Sequence, residues 1–176
     1  MKKILVAVDL QNDFIDGALG TKEAQAIIPA AAARIRELRE AGAEIFATLD
    51  THGEDYPQTQ EGRKLPVAHC IRNTEGWQLN PVIREALGDC TPVEKPAFGS
   101  TRLPEMIRER IGEEKDAAIE LLGLCTDICV VSNALILKAA FPEAAVQVNS
   151  ACCAGVTPEK HRAALETMAS CQIDIL

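Results

Sequence analysis

The sequence predicts an α/β fold in which a doubly wound parallel sheet is covered by helices on both faces, giving three α/β/α layers. Short apolar runs rich in β-branched residues alternate along the chain with segments of helical periodicity. Polar residues of reactive types follow four of the predicted strands, at the sheet edge where such folds bind their ligands. The length of 176 residues suits one domain with one core, spanning residues 1–176.

The predicted strands are short and apolar, as expected for strands that are buried on both faces of a parallel sheet. They are Lys3–Asp9, Ala43–Leu49, Thr91–Lys95, Ala117–Leu124, Ala145–Ser150 and Gln172–Leu176. The first of them is too short for the apolar region of a signal peptide, because Asp9 interrupts it. We therefore interpret the N-terminus as a strand of the sheet.

Four segments have the apolar periodicity of helices. They are Lys22–Ala41, Leu103–Ile111, Thr126–Ala140 and Thr157–Ser170. The first repeats isoleucine, alanine and leucine at helical spacing and is followed by Gly42, a residue favoured after a helix C-terminus. The last opens with Thr157 as an N-cap and Pro158 at the first helical position. These features predict helices that connect the strands and cover the sheet.

The composition excludes several classes of partner. With 18 basic and 26 acidic residues, the formal net charge is -8, whereas nucleic acids and anionic membranes bind basic surfaces. No apolar run approaches the roughly 18 residues of a membrane span. The seven cysteines have no spacing typical of a disulfide framework, which indicates a reducing, cytoplasmic environment.

A candidate nucleophile, Cys129, follows the fourth predicted strand at the start of a helix. Thr126 or Asp127 would cap that helix, whose free N–H groups and dipole stabilise a thiolate and an oxyanion. Cys125 is the weaker candidate because it precedes the helix. Asp9, at the end of the first strand, could accept the thiol proton. Lys95, at the end of the third strand, could supply a positive charge, although either residue alone could equally be structural.

A candidate metal site lies in Asp50–Cys90, a polar and weakly periodic segment whose length suggests a functional role. Asp50 and His52 share one face of an extended strand end, and Glu61 and His69 follow. Two histidines and two carboxylates suit Zn²⁺, Fe²⁺ or Mn²⁺. The third ligand could also be Glu54 or Asp55. The alternative is that these residues only cap a turn and line a polar loop.

Three motifs resemble the isochorismatase-like cysteine hydrolases, and most closely their nicotinamidase branch. They are Asp-Leu-Gln-Asn-Asp-Phe at Asp9–Phe14, Lys95 before an aromatic-Gly segment, and Gly-x-x-Thr-Asp-x-Cys-Val at Gly123–Val130. The resemblance covers nearly the whole chain and implies a six-stranded parallel sheet in the order 3-2-1-4-5-6. It implies catalytic roles for Asp9, Lys95 and Cys129. It also implies a cis peptide bond between Leu124 and Cys125, which would add the Cys125 N–H to that of Cys129 in an oxyanion hole.

The same resemblance implies a small amide substrate, with nicotinamide favoured because the metal ligands of that branch map onto this chain. It further implies a homo-oligomer in which loops of a neighbouring subunit close the pocket. One departure is that no aromatic residue precedes the His69-Cys70 pair. Phe14, Phe98 and Leu124 are therefore the candidate walls of the substrate pocket. Trp77 would either shield the site or anchor the long loop.

Three other functions are open on the sequence alone. A ureido, carbamoyl or vinyl ether substrate would keep the family chemistry and change the specificity. A catalytically idle binding module would keep only the fold. A magnesium-dependent phosphatase built on Asp9 and Asp13 is disfavoured, because the second aspartate of such sites normally stands two residues on, where this chain has Gln11.

Overall fold

A computed structural model of the protein describes residues 2–111 and 117–176. Its strands form a single six-stranded sheet in the order β3-β2-β1-β4-β5-β6, and each neighbouring pair is parallel. The strands are β1 (Lys2–Val8), β2 (Glu44–Asp50), β3 (Thr91–Lys95), β4 (Ala117–Leu124), β5 (Ala145–Ala154) and β6 (Asp174–Ile175). The predicted doubly wound parallel sheet and its strand order are confirmed.

The helices connect the strands and cover the sheet on both sides. They are α1 (Asn12–Ile15), α2 (Lys22–Glu40), α3 (Gln60–Lys64), α4 (Pro81–Leu87), α5 (Leu103–Ile111), α6 (Val131–Ala140) and α7 (Pro158–Ser170). Helix α2 packs against α4, and α6 packs against both α5 and α7. Crossovers between parallel strands are right-handed in nearly all proteins, so a chain that first winds toward β3 and then back toward β6 has these two groups on opposite faces. Among the described residues, no helix is long and apolar enough to cross a membrane.

The core lies on both faces of the central strands. In β1, the residues from Ile4 to Val8 are consecutively buried, the pattern of a strand covered by helices on both sides. One buried charge interrupts this core at Glu120 of β4. Arg34 of α2 donates to both of its carboxylate oxygens, at 2.9 and 2.7 Å, and the pair also ties α2 to the sheet.

Several element boundaries agree with the sequence prediction, while others differ for local reasons. The left-handed Gly42 follows α2, and Thr157 caps α7 by accepting a hydrogen bond from the Lys160 N–H. Strand β1 ends one residue early because Asp9 has a left-handed backbone, with φ of 48°. Helix α4 was not predicted, although Asn80 caps it and proline occupies its first position.

Gly123 brings the end of β4 close to the end of β1. Its φ is 126°, and a Cβ atom there would lie 2.1 Å from the carbonyl oxygen of Val8. Only glycine combines this backbone with so close an approach. The strand ends that carry the candidate catalytic residues can therefore come together.

Candidate active site

The three predicted catalytic residues meet at the carboxyl edge of the sheet. Asp9 follows β1, Lys95 is the last residue of β3, and Cys129 lies in the turn after β4. Their residue exposures are only 0%, 1% and 4%, respectively. Because the strands are parallel, residues far apart in the sequence are brought to one buried point.

Lys95 connects the other two side chains. Its Nζ lies 2.7 Å from Asp9 Oδ2 and 3.6 Å from Cys129 Sγ. The same ammonium donates to the Ala97 carbonyl oxygen at 3.0 Å and lies 3.4 Å from Asp50 Oδ1. This buried cation therefore faces the candidate base, the candidate nucleophile and one candidate metal ligand together.

Asp9 is held in place by the neighbouring strand. Thr48 Oγ1 donates to Asp9 Oδ1 at 2.6 Å, and the Asp9 N–H donates to the Thr48 carbonyl oxygen at 3.2 Å. This leaves Oδ2 to face Lys95 and the Cys129 thiol. The role of Thr48 was missed in the sequence, where it is one residue of an apolar strand.

The electrostatics favour a neutral thiol beside an ion pair. Burial raises the pKa of Cys129, and the Asp9 carboxylate raises it further through its charge and a side-chain hydrogen bond. Burial also raises the pKa of Asp9, an effect that Lys95 opposes. For Lys95, the charges of Asp9 and Cys129 outweigh burial and raise its pKa, so the amine stays protonated. One proton is thus positioned to move between sulfur and carboxylate.

Cys129 lies in a π-helical turn, Thr126–Val130, that leads directly into α6. The Leu124–Cys125 peptide bond that precedes the turn is cis, as the family resemblance implied. The prediction that Thr126 or Asp127 caps the helix is wrong, because no side chain caps it. Thr126 Oγ1 instead pairs with His161 Nδ1 at 2.8 Å, and Asp127 Oδ1 accepts the Val156 N–H at 2.9 Å.

A second cluster, the four-residue group of Asp50, His52, Glu61 and His69, adjoins the first. One donor atom from each lies within 4.8 Å of the others. Asp50 Oδ2 is 3.0 Å from His52 Nε2 and 3.4 Å from His69 Nε2, and Glu61 Oε1 is 3.7 Å from both nitrogens. Tetrahedral ligands of zinc lie about 3.4 Å apart, so the described donors fit one transition metal ion.

Local structure positions each of these donors. Thr59 caps α3, the helix that carries Glu61. The His52 N–H donates to the carbonyl oxygen of Cys70, the residue after His69, and this bond holds the two histidines side by side. His69 Nδ1 contacts the Val67 carbonyl oxygen at 2.8 Å, an arrangement that leaves Nε2 for a metal. The donor group contains Glu61, whereas Glu54 and Asp55, its alternatives in the sequence, are not part of it.

Two further residues orient this cluster. Gln11 accepts the Asp50 N–H at 2.8 Å and donates to the Asp50 carbonyl oxygen at 2.9 Å. Burial alone would raise the pKa of Asp50. The hydrogen bonds from His52 and His69 outweigh this effect and hold the pKa of Asp50 well below its usual range. The Tyr56 ring packs edge-on against both histidine rings. Gln11 lies within the Asp9–Phe14 motif but was assigned no role there, and no feature of the sequence marked Tyr56 as part of the site.

A cleft of about 470 Å³ is lined by two members of the four-residue group, and it reaches Ala97 and Ile128, which are close neighbours of Lys95 and Cys129. Its lining consists of His52, Thr59, Gln60, Glu61, Lys64, Leu65, Pro96, Ala97, Phe98 and Ile128. Phe98 is half exposed and forms one wall, whereas Phe14 and Leu124 are buried and do not line the cleft. Phe14 packs against the His69 ring instead. Trp77 anchors the long loop, because its indole N–H donates to Thr51 Oγ1 at 2.9 Å.

The fold and the buried groups at its carboxyl edge define a three-layer α/β enzyme with a candidate cysteine nucleophile. The chain belongs to the isochorismatase family, since the model of the Isochorismatase domain matches residues 3–176. It is similar to a Bacillus subtilis (strain 168) protein described as an uncharacterized isochorismatase family protein, PncA. That identity is 34% over 148 residues, which cover 77% of this chain and 78% of the relative.

Solved structures of related enzymes have the same fold. A pyrazinamidase of Pyrococcus horikoshii in complex with zinc superposes with a TM-score of 0.83 and 29% identity, covering 100% of this chain and 99% of that one. A pyrazinamidase/nicotinamidase from Streptococcus mutans gives a TM-score of 0.86 and 27% identity over 99% and 100% of the two chains. The chain is thus an isochorismatase-family hydrolase, similar to nicotinamidases and pyrazinamidases.

Proposed function

We propose that the protein is a cysteine-dependent amidohydrolase that converts nicotinamide to nicotinate and ammonia through a thioester on Cys129. The observation that carries the proposal is the buried contact of Lys95 Nζ with Asp9 Oδ2 at 2.7 Å and with Cys129 Sγ at 3.6 Å. A thiol, a proton acceptor and a fixed cation are the groups that nucleophilic attack on an amide needs.

In the first half of the proposed reaction, Asp9 takes the proton of Cys129 and the thiolate attacks the amide carbonyl carbon. Lys95 stabilises the thiolate as it forms, because the ammonium already faces the sulfur. The backbone N–H groups of Cys125 and Cys129 hold the oxyanion, and each such donor typically contributes about 3 kcal/mol. Collapse of the tetrahedral intermediate breaks the C–N bond, and Asp9 returns the proton to the departing ammonia.

In the second half, water hydrolyses the thioester. Asp9 accepts a proton from the attacking water and returns one to the sulfur, which regenerates the thiol. Burial raises the pKa of both Asp9 and Cys129, while the Lys95 ammonium lowers both. The same carboxylate thus serves as base and acid in alternation.

Asp50, His52, Glu61 and His69 would hold the divalent metal, for which we propose zinc, with iron or manganese also compatible with these donors. When bound, the metal supplies a Lewis acid that orients the substrate, and the ring nitrogen of nicotinamide is a suitable ligand. The cleft runs from His52 and Glu61 to Phe98 and to Ile128, the residue before Cys129, and we propose that a bound ring directs its amide toward that end.

Glu61→Gln is expected to weaken zinc binding by roughly 10- to 100-fold, because it replaces a charged carboxylate donor by a neutral amide oxygen. Glu54→Gln is the matched control, since this neighbouring carboxylate is exposed and lies outside the cluster. Zinc affinity of each purified variant would be measured by competition with a chromogenic chelator. Equal affinity of the Glu61 variant and the unchanged protein would contradict the assignment.

A second substrate class, ureido or carbamoyl amides that carry a carboxylate, is favoured by one feature of the cleft. The segment before His69 lacks an aromatic residue that could stack on a pyridine, while Lys64 lines the cleft. A cation at this position suits an anionic group at the far end of a substrate. The catalytic steps would be the same, with the carbamoyl group in place of the carboxamide.

An ammonia-release panel separates the two substrate classes. Nicotinamide, pyrazinamide, ureidoacrylate and N-carbamoyl amino acids would be compared, with the zinc-loaded protein and after chelation. Nicotinamide is expected to have the highest kcat/KM, which falls on chelation. A higher kcat/KM for ureidoacrylate or an N-carbamoyl amino acid would assign the protein to the second substrate class. Turnover of no amide at all would reject the proposed function.

The proposed setting of this reaction is the cytoplasm, and the proposed active form is a homo-oligomer. The seven cysteines are free thiols, as a reducing compartment would leave them. Phe98 and Leu65 at the cleft, together with Leu135 on α6, are exposed apolar side chains that a second copy would cover.

A further inference from the structure

Asn133 is a fully buried amide that lies one helical turn beyond Cys129, and its polar atoms are all used. Its Nδ2 donates to the Cys129 carbonyl oxygen at 2.8 Å and to the Phe98 carbonyl oxygen at 3.2 Å. Its Oδ1 accepts the Ser100 N–H at 3.0 Å. One side chain therefore bonds the residue of the candidate nucleophile and the loop that follows Lys95.

This loop, residues 96–100, carries one wall of the substrate cleft. Phe98 lines the cleft with its half-exposed ring, while its backbone is held by Asn133. At Gly99 the loop lies directly on α6, since a Cβ atom there would be 2.6 Å from Ile136 Cδ1 and 3.3 Å from the Ser132 side chain. Close packing and the amide bridge together fix where the wall stands relative to the turn.

We infer that Asn133 is a positioning residue that sets the distance between the Phe98 wall and the Cys129 sulfur. A carboxamide is planar and rigid, so its donors and its acceptor hold the two segments in one fixed register. A misplacement of about 1 Å between a bound substrate and a nucleophile can cost 100-fold in rate. The inference rests on the proposed function, because it assumes that Cys129 attacks a substrate in this cleft.

A threonine at position 133 distinguishes this role from simple structural support. Ser132 Oγ already donates to the carbonyl oxygen of Ile128, four residues earlier, at 2.7 Å. A hydroxyl at position 133 can make the same bond to the Cys129 carbonyl oxygen. It cannot also reach Phe98 and Ser100, so Asn133→Thr keeps the bond to the nucleophile residue and releases the wall.

The experiment compares Asn133→Ala, Asn133→Thr and the control Asn149→Ala, using kcat and KM for nicotinamide and the rate of Cys129 alkylation by iodoacetamide. Asn149 is a suitable control because it is a partly buried amide that donates to Glu120, away from the site. Alkylation needs no amide substrate, so it still tests the position of Cys129 if nicotinamide is not turned over. Labelling of the exposed Cys171 provides an internal reference in every sample.

Asn133→Ala is expected to lower kcat roughly 10- to 100-fold, to raise KM and to slow Cys129 alkylation several-fold as the sulfur moves away from Lys95. Asn133→Thr is expected to restore alkylation and most of kcat, while KM stays raised several-fold. The inference would be overturned if both Asn133→Ala and Asn133→Thr kept the kcat, the KM and the Cys129 alkylation rate of the unchanged protein. The same losses of kcat and alkylation rate in Asn149→Ala would overturn it as well. If Asn133→Ala does not fold, the test is the KM of Asn133→Thr: a raised KM supports the inference and an unchanged KM overturns it.

Discussion

Cys129→Ala is expected to reduce ammonia release on the order of 10⁴-fold or more while leaving the fold and the zinc content unchanged. The sulfur is the only atom that the variant removes, and in enzymes with covalent intermediates the nucleophile is worth this much. Cys129 Sγ lies outside the group of metal donors, so zinc binding should persist. Ammonia release, zinc content and thermal unfolding would be measured on the same preparation.

Cys125→Ala is the matched control for this variant. Its thiol is held neutral, because burial and the nearby Asp127 and Asp9 charges raise its pKa to about 12. Only the backbone N–H of Cys125 is assigned a role, and alanine keeps it. Activity within a few-fold of the unchanged protein is therefore expected. Near-normal turnover in Cys129→Ala, or an equal loss in Cys125→Ala, would reject the nucleophile assignment.

The proximity of the candidate catalytic residues could be predicted from the sequence because it depends on a property of the whole fold. Carboxyl ends of parallel strands lie at one edge, so a reactive residue at each predicted strand end is expected to join the others. The structure brings Asp9, Lys95 and Cys129 into contact through this geometry. Errors of one residue in the strand boundaries did not matter, since the side chains still reach the same edge.

The residues that orient the site could not be predicted in this way. Thr48, Gln11 and Asn133 act through hydrogen bonds to segments that are between 33 and 39 residues away in the sequence. Gln11 belongs to a local motif, but the motif does not show which segment it bonds. No local pattern marks Thr48 or Asn133, because a threonine in a strand or an asparagine in a helix usually has no special role. Their significance depends on tertiary register, which appears only when the neighbouring strands and helices are in place.

The third candidate metal ligand could not be chosen from the sequence either, although the alternatives lie within eight residues of one another. Glu54, Asp55 and Glu61 are all acidic and close in the sequence, so spacing alone left them equivalent. The choice is made by a short helix that Thr59 caps, which turns Glu61 toward the histidines. A five-residue helix has too little periodicity to be recognised from sequence. Local backbone structure, rather than residue type, therefore selects the candidate ligand.

Asp9→Asn is expected to give opposite changes in two reactions of the same sulfur. Amide hydrolysis should fall roughly 10³-fold, because an amide cannot accept the thiol proton or return one to ammonia. Alkylation of Cys129 by iodoacetamide should become faster. The Asp9 carboxylate raises the pKa of the thiol, so its removal lowers that pKa and increases the thiolate fraction at neutral pH. Asparagine also tolerates the left-handed backbone at this position.

The matched control is Asp13→Asn, four residues further on. Asp13 accepts the Cys70 N–H at 2.7 Å and the Ala18 N–H at 3.2 Å, which is a structural role that a single amide oxygen can partly keep. We expect this variant to change neither the alkylation rate of Cys129 nor kcat by more than a few-fold. If alkylation and hydrolysis instead fall together in Asp9→Asn, the carboxylate serves to hold the nucleophile in place. A more reactive thiol that no longer hydrolyses amides would separate proton transfer from nucleophilicity, and it would assign proton transfer to Asp9.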